Sequence, residues 1–177
     1  HQLSDVSQSL HVTEEVEVIC GEGIDRATKN RAEEVLKTHG LQAKFLDAST
    51  GQNRSILLIG IHGKNSEASD CADSWGLSKD VFNVPGKFDR HLLHMRELTG
   101  GVAEVVILGE HTDAAFHALA SLDLMLDKGI NNLPGVTIND YADMQSRGLV
   151  EGYYGYPYSI EVKKDLMHFM KRHKMNT

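Results

Sequence analysis

The sequence predicts an α/β sandwich, a mixed β-sheet with packed helices, followed by the opening β-α unit of a second domain. Three observations carry this. Strand-length apolar runs alternate with stretches of helical spacing. One run, "SILLIGI" over 55–61, is apolar throughout, as for a strand buried on both faces. Finally, a fresh strand and helix over 146–177 follow after the earlier elements have closed on themselves.

Taken in order, "EVEVIC" (15–20) alternates acid with apolar and reads as a strand. In the helix that follows, Ala27, Ala32, Val35 and Leu36 recur at helical spacing. Asp25 caps its start and Gly40 ends it in the left-handed conformation. "LQAKFLD" (41–47) and "SILLIGI" are further strands, residues 67–76 read as a short helix, and "VPGK" marks a turn. "HLLHMREL" and "VAEVVILGE" flank "TGG" as a hairpin. The clearest helix is 111–129, with Thr112 as N-cap, Phe116, Leu119, Leu122 and Met125 on one face, and Gly129 closing it. "LPGVTIND" (133–140) is a strand. "RGLVEG" reads as another, and 159–174 as a helix capped by Ser159, with Leu166, Phe169, Met170 and His173 on one side. The domains expected are thus 1–140 and 146–177.

The chain has 177 residues, a net charge of -7 and a mean hydropathy of -0.30, and no apolar run of membrane-spanning length. An acidic balance argues against a nucleic-acid partner, because phosphate binding needs a basic surface. Cys20 and Cys71 form one disulfide or none, with Cys20 best read as a buried thiol. The sequence carries no signal peptide but starts at His1 rather than Met, which reads as a trimmed N-terminus.

Several constellations reduce to ordinary structure. "VEVICGEGIDRA" imitates a dinucleotide-binding turn. However, Arg26 stands where the third glycine belongs, and Asp25 places negative charge where a pyrophosphate needs positive dipole. It reads as a strand-to-helix turn with an acidic cap. Of the histidines, His91 and His94 face opposite sides of a strand, His111 and His117 straddle a helix start, and His168 and His173 lie about 140° apart on a helix. None makes an i, i+4 chelate, so no metal is expected. Asp70 and Asp73 read as solvated, and neither cysteine sits in a nucleophile motif.

The stretch "RGLVEGYYGYPYS" (147–159) stands apart, holding four of the five tyrosines. Gly152 lets a ligand or a backbone approach a strand end, the tyrosines offer flat apolar faces with hydroxyl tips, and Glu151 is an acid in the turn. A sugar platform and an aromatic domain junction both fit these residues.

"RGLVEGYYGYPYSIEVKKDLMHFMKRHKMNT" resembles the start of the catalytic barrel in glycoside hydrolase family 84, which includes β-N-acetylglucosaminidases and enzymes called hyaluronidases. "HTDAAFHALASLDLML" and "LPGVTINDYADMQSRG" resemble the end of the preceding domain, of a type shared with family 20 hexosaminidases. The resemblance implies that 1–140 is that N-terminal α/β domain and 146–177 the first strand and helix of a truncated (β/α)8 barrel. It implies a substrate-binding role for Gly152, Tyr154, Glu151 and Gly155. This sequence has Tyr153 where the family has Phe, Tyr156 where it has a small or polar residue, and Tyr158 where it has Trp.

The implied reaction is retaining hydrolysis of N-acetylglucosaminides. The sugar's acetamido oxygen attacks, and an adjacent Asp pair that falls beyond Thr177 assists it. The fragment alone is then expected to be inactive, with no catalytic residue and no cofactor. The implied partners are an N-acetylglucosamine-containing glycan and the rest of the barrel, with self-association through 146–177 a further expectation. The implied location is secreted or at a bacterial cell surface. A non-catalytic structural or carbohydrate-binding module is the alternative.

Overall fold

The structure is a computed structural model that describes residues 9–98, 100–126, 132–152 and 155–177, together with the backbone of 2–4. In chain order its elements are β1 (Gln2–Ser4), β2 (Ser9–His11), β3 (Glu15–Cys20), α1 (Arg26–Thr38), β4 (Gln42–Leu46), β5 (Ser55–Ile61) and α2 (Glu67–Ser74). After a 3-10 turn (Asp80–Asn83) come β6 (Phe88–Glu97), β7 (Ala103–Gly109), α3 (Thr112–Met125), β8 (Asn132–Pro134), β9 (Val136–Ala142) and α4 (Ile160–Arg172). The main sheet has the order β1-β9-β6-β7-β5-β3-β4. Strands β4, β3, β5 and β7 run parallel, whereas β6, β9 and β1 each run antiparallel to their neighbours. The sheet is mixed and open, not a closed barrel, which is the fold class the alternation of elements predicts. Strands β2 and β8 form a separate small pair.

Side-chain alternation divides the sheet into two buried faces. Val16, Val18, Leu57, Ile59, Val105, Ile107, Leu93 and Met95 meet α1 and α3, through Ala32, Val35 and Leu36 of the first and Ala115, Ala118, Leu119 and Leu122 of the second. Ile19, Ile56, Leu58, Val106, Leu108 and Leu92 meet α2 and the 3-10 turn, through Ala68, Ala72, Val81 and Phe82. Every residue of β5 and β7 is buried, as the unbroken apolar run of β5 requires. Gly109 ends β7 because α3 crosses it closely: a Cβ there would lie 2.5 Å from the Ala115 amide nitrogen.

The boundaries show where local signals sufficed. Asp25 caps α1, its carboxylate accepting from the Thr28 amide at 2.8 Å, and Gly40 follows the helix at φ 78°. The N-cap of α3 is His111 rather than Thr112. The His111 Nδ1 accepts from the Ala114 amide at 3.2 Å, while the Thr112 hydroxyl accepts from the Asp25 amide and pairs with the Thr28 hydroxyl, tying the two helix starts together. Gly129 lies outside the described residues. The strand expected over 133–140 is two strands, because the residues before Gly135 pair with β2 and those after it with β6. Strands β1 and β2, three residues each, are too short to carry a periodic signal. Cys20 and Cys71 are free, partly buried thiols, and burial pushes both pKa values up.

Two polar insertions secure the layers. Glu17, fully buried in β3, accepts from the amide and hydroxyl of Thr50 and so pins the loop over 47–54 that connects β4 to β5. On the other face Asp123 of α3 joins α1, with Arg31 Nη2 at 3.0 Å on one carboxylate oxygen and His39 Nε2 at 3.0 Å on the other. Burial alone would raise the Asp123 carboxyl, but the His39 hydrogen bond and the Arg31 charge hold it below its ordinary value. Removing the carboxylate takes the nearer of two carboxylate partners from Arg31, which is 4% exposed, and leaves it Glu34 Oε2 at 3.3 Å. Asp123→Ala is therefore expected to lower the unfolding free energy by about 3–5 kcal/mol in urea titrations. Asp123→Asn, which keeps an acceptor, is expected to lose less.

Candidate functional site

The segment between β9 and α4 carries the motif of interest, and its base is built by Arg147. The Arg147 side chain donates from Nε to the Lys174 carbonyl at 2.9 Å, from Nη1 to the Met144 carbonyl at 2.7 Å, and from Nη2 to Asp89 Oδ2 at 2.5 Å. The backbone next to it meets the end of the chain. The Thr177 amide donates to the Arg147 carbonyl at 3.0 Å, and the Leu149 amide donates to the Thr177 carbonyl at 3.1 Å. That is the bonding pattern of adjacent parallel strands centred on Gly148 and Thr177, with α4 as the intervening crossover. The strand expected over "RGLVEG" is not formed as such, because Gly148 finds only this single pairing and Leu149 and Val150 stay exposed.

Beyond the base, the expected binding residues diverge. Glu151 is partly shielded, its Oε2 3.2 Å from Lys163 Nζ of α4. Its Oε1 is buried with no hydrogen-bond partner among the described residues, a state that favours an incoming donor. Gly152 and Gly155 are exposed, so the backbone there is open to approach. Tyr154 lies outside the described residues, as does Tyr153. Tyr156 is fully exposed and Tyr158 is 56% exposed. Tyr156 and Tyr158 therefore do not pack the junction.

The junction is made instead by a charged cluster that sequence reasoning did not assemble. Asp89 and His91 of β6, His117 of α3, Asp140 of β9, Arg147 and Lys174 line a cavity of about 180 Å³. Lys174 Nζ donates to Asp140 Oδ2 at 2.6 Å and to Ser121 Oγ at 2.7 Å. Burial alone would raise the Asp140 carboxyl, but Lys174 holds it low. His91 and His94 do face opposite sides of β6: His94 Nδ1 meets Thr137 Oγ1 at 2.8 Å and its ring lies against Trp75. The only sequence signal for the cluster was the polar residues within otherwise apolar strands. The glycine-rich turn after β3 is closed by the Asp25 cap, so the helix start is already filled by a carboxylate. Among the described residues, no three His, Cys, Asp or Glu side chains are grouped to hold a metal ion.

A Cβ built on Gly148 would overlap the Thr177 carbonyl. Gly148→Ala is therefore expected to separate the paired backbones and to speed hydrogen exchange at the Leu149 and Thr177 amides by more than tenfold. Amides of β5 and β7 should exchange as before.

Residues 147–177 match the family model described as β-N-acetylglucosaminidase (NAGidase). Among solved structures, CpGH84D is similar at 33% identity and a TM-score of 0.84, over 99% of this chain and 28% of that one. CpGH84B, at 18% identity and a TM-score of 0.71, covers 99% of this chain and 27% of that one. An exo β-N-acetylglucosaminidase of family GH20 from Vibrio harveyi, at 15% identity and a TM-score of 0.66, covers 99% and 23% respectively. The last two share the fold. The chain spans about a quarter of the length of each of these structures, from 23% to 28%. The match over 147–177 and the likeness to CpGH84D along nearly the whole chain relate it to glycoside hydrolase family 84.

Proposed function

We propose that this chain belongs to a retaining β-N-acetylglucosaminidase. In this reading 1–140 is its N-terminal α/β domain and 146–177 the first strand and helix of its (β/α)8 catalytic barrel. The observation that carries the reading is the coincidence of the family match over 147–177 with the parallel pairing of Gly148 and Thr177 around α4. Parallel strands joined by a helix are the repeating step of such a barrel, and substrates bind at the C-terminal ends of its strands. Glu151, Gly152, Tyr154 and Gly155 follow directly on that strand position and supply one wall of a sugar pocket. The open glycine backbone admits the ring, and the Glu151 oxygen that has no hydrogen-bond partner among the described residues accepts a sugar hydroxyl.

Hydrolysis in this reading uses the substrate's own acetamido oxygen as nucleophile, so the protein must orient that group and protonate the leaving oxygen. An adjacent Asp pair suits both tasks, and these 177 residues contain none. Without a positioned acid a reaction of this kind loses about 10²–10⁴ in rate. The chain alone is expected to release no chromophore from an aryl β-N-acetylglucosaminide, and a protein that continues through the barrel is expected to release it. Turnover by the 177-residue chain would overturn the division of labour, and silence from the longer protein would overturn the activity.

Exposed Tyr156 and Tyr158 favour a second reading, a carbohydrate-binding module. It requires saturable quenching of tyrosine fluorescence by N-acetylglucosamine oligomers in this chain alone. Secretion or a cell-surface location fits a glycan substrate. Among the described residues, no helix is long and apolar enough to cross a membrane.

The unit over 146–177 also offers a surface for self-association. Helix α4 has no buried residue, and Ile160, Met167 and Phe169 are 67%, 67% and 45% exposed. Sedimentation is expected to show a concentration-dependent dimer that Met167→Lys with Phe169→Glu returns to monomer.

A further inference from the structure

Among the described residues, two non-glycine residues have backbone φ in the left-handed region, Asp89 at 50° and Lys174 at 56°. Such a conformation costs energy in residues with a Cβ and persists where surrounding contacts demand it. Both side chains enter the same cluster. Asp89 lies within a bulge, where β6 spends three steps from Phe88 to His91 while β9 spends two from Ala142 to Asp140. A bulge re-aims side chains, and this one turns the Asp89 carboxylate onto Arg147. Lys174 occupies the position after the α4 C-cap where glycine is usual, with the Met175 amide donating to the Met170 carbonyl. A lysine there delivers its ammonium to the sheet.

The hydrogen-bond chemistry fixes the protonation of His91. His91 Nδ1 lies 2.7 Å from the Asp89 carbonyl, which only accepts, so Nδ1 holds the proton. Its Nε2 lies 3.2 Å from Lys174 Nζ, which only donates, so Nε2 is the acceptor. The three ammonium protons of Lys174 thus go to Asp140, Ser121 and His91. His117 Nε2 likewise faces Arg147 Nη2 at 3.5 Å and Asp89 Oδ2 at 3.8 Å. Each imidazole sits neutral against a cation. A proton on His91 Nε2 would replace an acceptor with an N–H pointed at another N–H of like charge, and a proton on His117 Nε2 would meet the Arg147 guanidinium and compete with it for Asp89.

We propose that Asp89, Asp140, Arg147 and Lys174 form an ionic latch docking the 146–177 unit on the sheet domain, and that protonation of His91 and His117 opens it.

Other charged groups face these histidines: Asp140 at 3.6 Å from His91, and for His117 the Asp113 of its own helix. His111 and Glu110 lie beside Asp89, with His111 Nε2 3.6 Å from its Oδ1. Farther along α4, Lys171 pairs with Glu34, and Arg172 lies 3.9 Å from Asp123, which also binds Arg31 and His39. Burial, then the charge of Lys174, pushes His91 down from 6.5 to about 4, and burial followed by the charge of Arg147 overrides Asp89 to lower His117. A histidine with a depressed value in the docked state takes up protons more readily when released. Docking is therefore strongest above about pH 6.5 and weakens as pH falls towards 4. At pH 5, His91 alone weakens docking by about thirtyfold if the released ring titrates at 6.5.

The test uses energy transfer within the full 177-residue chain. Lys37→Cys on α1 and Met167→Cys on α4, both exposed positions, carry donor and acceptor in a Cys20→Ala, Cys71→Ala background. Transfer is expected to be high at pH 7.5 and to fall between pH 6.5 and 4.5 while far-UV circular dichroism stays constant. His91→Gln with His117→Gln, whose amide oxygens accept but do not titrate, should keep transfer high throughout. Lys174→Gly relieves the strained backbone yet removes the ammonium, and should lose transfer already at pH 7.5. Constant transfer in the parent, the same acid loss in the double glutamine variant, loss only together with unfolding, or a docked Lys174→Gly would each overturn the latch.

Discussion

Two-sided burial of the adjacent parallel strands β5 and β7 is the constraint on which the rest of the molecule depends. Every residue of both strands is buried, so helices must cover both faces. That requirement places α1 and α3 on one side and α2 with the 3-10 turn on the other. It also sends the polar work to the flanks. Glu17 on β3 holds a loop, and on β6 and β9 the bulge, His91 and Asp140 receive the unit that follows.

Much of this order was legible because it is local. The alternation of "EVEVIC", the unbroken run of β5, the hairpin around "TGG" and the Asp25 and Ser159 caps are each written within a few residues, and the structure forms them where the pattern puts them. The Thr112 cap was misplaced by one residue, because a histidine that accepts through Nδ1 is an uncommon cap and the Thr112 hydroxyl has a tertiary partner. "RGLVEG" has strand composition, but pairing is a property of neighbours and Gly148 finds one.

The charged cluster was not legible at all. Its members are spread from Asp89 to Lys174, on three secondary-structure elements and the segments beside them, with no common spacing. His91 and His117 look like any polar intrusions in apolar stretches. Only the folded chain shows that each lies beside a cation. By contrast, Glu151, Gly152 and Gly155 stand out in sequence, and the two glycines are exposed in the structure while Glu151 is partly shielded beside Lys163.

The pairing of β1 with β9 has a mechanical meaning. Gln2 lies opposite Asn139 and Ser4 opposite Thr137, so the first strand of the domain and its last are zipped side by side. The two ends of the domain leave from one corner. A pull applied across them loads that three-residue pair one rung at a time, peeling it open before any force reaches β5 or β7. A sheet whose first and last strands in chain order share an edge can be joined at that edge without straining its interior.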